Sequence, residues 1–72
     1  MSQQIVSELV ANVIAVHVEA GQRVEAGSEV ALLESMKMEI PLLAEHAGTV
    51  EAVHVAPGDV VQEGDALVVL SD

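Results

Sequence analysis

Val13-Ile14-Ala15-Val16-His17-Val18 and Val50-Glu51-Ala52-Val53-His54-Val55 are the opening stretches of two copies of one pattern. Sliding Val13–Leu33 onto Val50–Leu70 takes a shift of 37 residues and no gap. Nine of the 21 aligned positions are identical: Val13/Val50, Ala15/Ala52, Val16/Val53, His17/His54, Val18/Val55, Gly21/Gly58, Val24/Val61, Gly27/Gly64 and Leu33/Leu70. Val30/Leu67, Ala31/Val68 and Leu32/Val69 exchange one aliphatic side chain for another. The chain is written twice.

Each copy reads as strand, turn, short strand, turn, strand. Ile14, Val16 and Val18 alternate with Ala15 and His17, and Val53 and Val55 flank His54, the period of a half-buried strand. Ala20-Gly21-Gln22 and Pro57-Gly58-Asp59 are turns in which glycine permits positive φ. Val24 and Val60-Val61 make brief extended pieces, Gly27 and Gly64 turn the chain again, and Val30–Leu33 and Leu67–Leu70 close each copy. No stretch has sustained helical spacing. Two half-units that each expose an apolar face cover each other, which predicts an all-β, closed pseudo-twofold sandwich of antiparallel sheets. Two copies are fewer than a solenoid needs. The link between copies is Glu34–Gly48, and a hairpin tip near Met36-Lys37 is expected before the extended piece Ile40–Leu43.

At 72 residues a single domain over 1–72 is expected, burying about 60% of its unfolded surface. With no Phe, Tyr or Trp, the core must come from Val, Leu, Ile, Ala and Met, and the stacking platforms of single-strand nucleic-acid binders are missing. Twelve acidic residues against two basic ones, Arg23 and Lys37, give a formal charge of −10. Such a surface repels phosphate backbones and anionic lipids, so neither nucleic acid nor a membrane is an expected partner. There is no cysteine for a disulfide, a thiol nucleophile or a Cys-based metal site. No signal-peptide pattern or membrane-length apolar run is present, and a cytoplasmic monomer is the expectation.

Lys37 is the chain's only lysine, set in Glu34-Ser35-Met36-Lys37-Met38-Glu39. Spacing alone leaves it as a solvated charge on a hairpin and leaves the methionines as core filler. The hexapeptide, however, closely resembles the E-A-M-K-M attachment motif of biotinyl carrier domains. The resemblance spans nearly the whole chain. It includes the paired G-x-x-V-x-x-G turns (Gly21, Val24, Gly27; Gly58, Val61, Gly64) and Ala44–Val50, which is similar to the family's A-P-x-x-G-x-V. Small stand-alone biotinylated proteins of actinobacteria are especially similar, and the initial Met1 with no Pro/Ala-rich linker carries the same expectation.

The resemblance implies a flattened β-barrel of two quasi-symmetric sheets with Lys37 on an exposed hairpin tip. It implies biotin joined by an amide to Lys37, with Met36 and Met38 read by a biotin protein ligase and Glu34, Ser35 and Glu39 as motif context. An ordinary lysine amine, pKa about 10.4, is almost wholly protonated near neutral pH. A ligase that presents activated biotinyl-adenylate replaces intrinsic reactivity with proximity. The implied function is that of a non-catalytic carrier that moves carboxybiotin between biotin carboxylase and carboxyltransferase. Lipoyl domains share the fold but commonly carry D-K-A, so methionine on both sides of Lys37 favours biotin over lipoate. A third reading is an unmodified structural adaptor of the same fold.

The chain departs from the family pattern at Ser35 (family alanine), at Glu45 (family proline) and at Ala11. The 37-residue shift predicts a glycine at position 11, opposite Gly48, so the first turn is expected to differ slightly from the second. His17 and His54, at equivalent positions, and His46 read as solvated side chains rather than metal ligands. No Ser/His/Asp spacing or phosphate-cradling loop points to catalysis, and the repeat glycines read as turn residues.

Overall fold

Short runs of β-branched and aliphatic residues, each stopped by a glycine turn, leave this chain little alternative to extended structure. The computed structural model describes residues 2–71 as strands joined by turns, with no helix among them. The strands are β1 (Ser2–Val6), β2 (Ala11–Val16), β3 (Arg23–Val24), β4 (Glu29–Ser35), β5 (Met38–Leu43), β6 (Gly48–Val53), β7 (Val60–Val61) and β8 (Ala66–Ser71). They form two antiparallel four-stranded sheets, ordered β1-β8-β6-β3 and β5-β4-β2-β7.

The repeat is longer than the sequence pattern indicates. β5 is not part of a linker: it is the counterpart of β1, so each copy has four strands. β1 has no signature in the sequence, since Ser2-Gln3-Gln4 carries no apolar alternation; it is held by pairing with β8, from Ser2↔Ser71 to Val6↔Ala66. Nor does each copy form its own sheet. Every sheet takes two strands from each half, so the halves interlace rather than simply stack.

The backbone bonds between elements obey the same shift. The His17 N–H donates to the Val30 carbonyl (2.9 Å) and the His54 N–H to Leu67 (2.8 Å). Gly21 donates to Val50 (2.8 Å) as Gly58 does to Val13 (2.9 Å). Each of these last bonds ties a turn of one half to a strand of the other. The four turn glycines, Gly21, Gly27, Gly58 and Gly64, have φ between 88° and 97°, where a side chain would be strained.

Matched bulges also recur. The register slips between Val13 and Ala15 in β2 and between Val50 and Ala52 in β6, adding one residue that bends the strand. This bulge overturns the simple alternation expected around Ile14. Val13 is buried, whereas Ile14 is 39% exposed. Paired positions again supply the core: Val13/Val50, Val24/Val61, Val30/Leu67 and Leu33/Leu70 are all buried. Methionine takes no part in it among the described residues, contrary to expectation, because Met36 and Met38 lie at the outward hairpin.

Ala11 and Gly48 begin β2 and β6 rather than occupying turns. Gly48 serves close approach: a Cβ there would lie 2.5 Å from the Ser71 carbonyl oxygen. Overpacking against backbone costs about 1–3 kcal/mol. Gly48→Ala is therefore expected to lower the unfolding free energy in urea by about that amount, whereas Ala11→Gly changes it by no more than about 1 kcal/mol. Equal, small effects at both positions would contradict this account of the close approach.

Candidate functional site

The β4–β5 hairpin closes with Ser35 paired to Met38, leaving Met36 and Lys37 as a two-residue loop. Both have positive φ, 53° and 66°. A hairpin of this length favours a turn with φ > 0 at both central residues, because its twist matches that of the strands. Asn-Gly is the usual filling. Here a methionine and a lysine adopt the left-handed region instead, at a cost of roughly 1–2 kcal/mol each. Such strain persists where the surroundings over-determine it and clusters at functional sites.

The tip is also bare. Met36 is 91% exposed and Met38 66%, and Lys37 is exposed between them. Among the described residues the ion pairs are His17–Glu29 at 2.8 Å and Arg23–Glu25 at 3.9 Å, neither of which engages Lys37.

Beneath the tip, Glu34 and Glu39 are directly paired across the strands and both are exposed. Like charges in that position are unfavourable, yet two carboxylates stand just below the Ser35–Met38 pair, two residue pairs from the tip. Ser35, the small-for-small departure, is not idle: its Oγ donates to the Val10 carbonyl at 3.0 Å. That bond ties the hairpin base to the loop between β1 and β2. The motif residues singled out from the sequence thus gather at one end of one sheet.

Val10, Asn12 and Val60 join the same region, and spacing along the chain gave no sign of them. Asn12 pairs with Glu34 on one side and with Val60 on the other, continuing the row from Glu39. Val10 is 55% exposed and Val60 61%. Strand pairing brings Asn12 and Val60, and the Ser35 bond brings Val10, to the end of the sheet that carries the tip.

The histidines remain apart from it. His17 and His54 lie one residue beyond β2 and β6, both exposed. His17 Nε2 meets Glu29 Oε2 at 2.8 Å; the corresponding partner position for His54 is Ala66. The His46 carbonyl accepts a bond from Gln3 Nε2 at 3.2 Å. Among the described residues no group of three His, Asp or Glu side chains is placed to share a metal ion.

Replacing Met36-Lys37 by Asn-Gly should relieve the tip and raise stability by about 1–3 kcal/mol, read as an upward shift of the urea midpoint. No gain in stability would show that the turn carries no strain.

Comparison with known proteins agrees with this geometry. Residues 2–70 match the biotin/lipoyl family model, described as biotin-requiring enzyme. The chain is 51% identical over 65 residues to the "Biotin/lipoyl attachment protein" of Bacillus subtilis (strain 168), covering 90% of this chain and 89% of that one. It is 48% identical over 71 residues to the "Biotinylated protein TB7.3 homolog" of Mycobacterium leprae (strain TN), covering 99% of this chain and all (100%) of the other. Among solved structures, the urea carboxylase of Kluyveromyces lactis superposes with a TM-score of 0.91 at 30% identity, over 99% of this chain but 6% of that much longer one. With the family model spanning nearly its whole length and its strands arranged as two interlaced sheets, one of them ending in the lysine hairpin, the chain belongs to the biotin/lipoyl attachment family.

Proposed function

We propose that the protein is a biotin carrier, with Lys37 as the residue that biotin protein ligase modifies. The observation that carries this reading is the placement of the only lysine, exposed and in a left-handed conformation, at the tip joining the two halves. The Lys37 Nζ attacks the carbonyl carbon of an activated biotinyl group. An amide C–N bond forms, the activating adenylate leaves and the amine loses a proton. Position replaces intrinsic nucleophilicity in that step, because the ligase holds both reactants together. The turn holds the amine clear of its own surface, and Met36 and Met38 offer flanking apolar contacts to whatever closes over the tip.

Once attached, biotin supplies a ureido group that takes up and releases a carboxyl group. This chain supplies presentation, while the carboxylase and carboxyltransferase centres supply catalysis. A rigid sandwich with one protruding tip suits visits to successive active sites.

Intact mass of protein purified from biotin-replete cells is expected to show one biotinoyl addition, absent in Lys37→Ala. A lipoyl addition instead would assign the other cofactor of the family, and no addition in the presence of active ligase would overturn the carrier reading.

Met36→Asp combined with Met38→Ala is expected to slow biotinylation by purified ligase while leaving the urea midpoint largely unchanged, since neither side chain is buried. Unchanged ligation kinetics would remove the methionines from the recognition surface.

A further inference from the structure

The open side of the sandwich carries a groove of about 440 Å3 between β1 and β5, the outer strands of the two sheets. It is built on the pseudo-dyad: Ile5/Leu42 and Val6/Leu43 give it apolar walls, and Glu8/Glu45 place a carboxylate from each half beside them. Leu43 is 47% exposed there.

The two edges are not equivalent as hydrogen-bonding surfaces. The Ser7 N–H donates to Asp65 (2.9 Å), next to the β1–β8 ladder. Alternation along β1 then turns the amides of Val6 and Gln4 to the free edge. The Ala44 N–H donates to Ser28 (2.9 Å) in the same way, which turns Leu43 and Pro41 outward on β5. Pro41 has no N–H, so its edge is blunted. Its counterpart Gln4 retains a donor, and β1 is left as the edge open to another strand.

Charge narrows the occupant. Neither of the chain's two basic residues lines the groove. With a formal charge of −10, a second copy and any phosphate backbone are both repelled. We propose that this groove docks an extended segment of a partner protein, with alternating aliphatic and basic side chains, added as a strand along β1. Leu43 lies six residues beyond Lys37, about 20 Å along an extended chain. A partner held there leaves the tip free. Resting on the carrier reading, the consequence is a raised effective concentration of Lys37 at that partner's active site.

The test is a titration of the full chain, 15N-labelled, with a short acetylated and amidated peptide of alternating lysine and valine at low salt. Expected are amide shift changes confined to Gln4, Val6, Leu43 and their neighbours, with slowed solvent exchange at Gln4 and Val6. Removing the carboxylates in Glu8→Gln/Glu45→Gln should weaken binding about fivefold to tenfold. Gln4→Pro copies what the other half already accommodates at Pro41, so the fold should persist while binding is lost. Shift changes spread over the whole acidic surface, or undiminished binding by Gln4→Pro, would overturn the proposal. Lys37→Ala should bind the peptide normally. Failure of biotinylation, read separately by mass, therefore bears on the carrier reading and not on the groove.

Discussion

The structure depends on the reciprocal exchange of strands between its two halves. β3 of the first copy pairs with β6 of the second, and β7 of the second pairs with β2 of the first. A chain of 72 residues without a single aromatic side chain has little apolar volume with which to close a core. Interlacing lets Val, Leu, Ile and Ala from both copies enclose one another from two sides. The bonds Gly21 to Val50 and Gly58 to Val13 fasten each turn to the opposite half, so neither half can complete its hydrogen bonding alone.

That constraint also explains where strain is tolerated. Among the described residues the other positive φ values fall on glycine, where they cost little. At Met36 and Lys37 two bulky residues adopt the same conformation, held by the β4–β5 ladder below and by the Ser35 bond to Val10. The rigid interlaced body makes a strained, exposed tip possible, the kind of strain that clusters at functional sites. The opposed Glu34 and Glu39 fit the same view: local stability yields to the character of the surface beneath the lysine.

Departures from perfect symmetry are as informative as the symmetry. Gly48 answers a close approach by the Ser71 carbonyl, yet Ala11 fills the equivalent place in the first half. Glu29 gives His17 a partner that Ala66 cannot give His54. Pro41 closes an edge that Gln4 leaves open. The halves share most of their core and turn residues, and apart from the buried Ala11/Gly48 pair these differences lie at exposed or half-buried positions.

Several features were legible in the sequence. The repeat of Val13–Leu33 in Val50–Leu70 determined the all-β class, the four positive-φ glycines and the pseudo-twofold, because turn chemistry and aliphatic periodicity are local properties. The placement of Lys37 at a hairpin followed from the strand pattern on either side, and the family from the residues around it. Other features were decided only in three dimensions. β1 exists because β8 pairs with it, not because Ser2-Gln3-Gln4 prefers a strand. Ile14 turns outward because a bulge shifts the register. The methionines are bare because the tip projects from the core. Asn12 and Val60 reach the lysine's end of the sheet only through pairing between strands distant in sequence, and Val10 only through its bond from Ser35. Local preference specifies which stretches extend and where they turn, whereas partner strand, register and exposure are properties of the closed core.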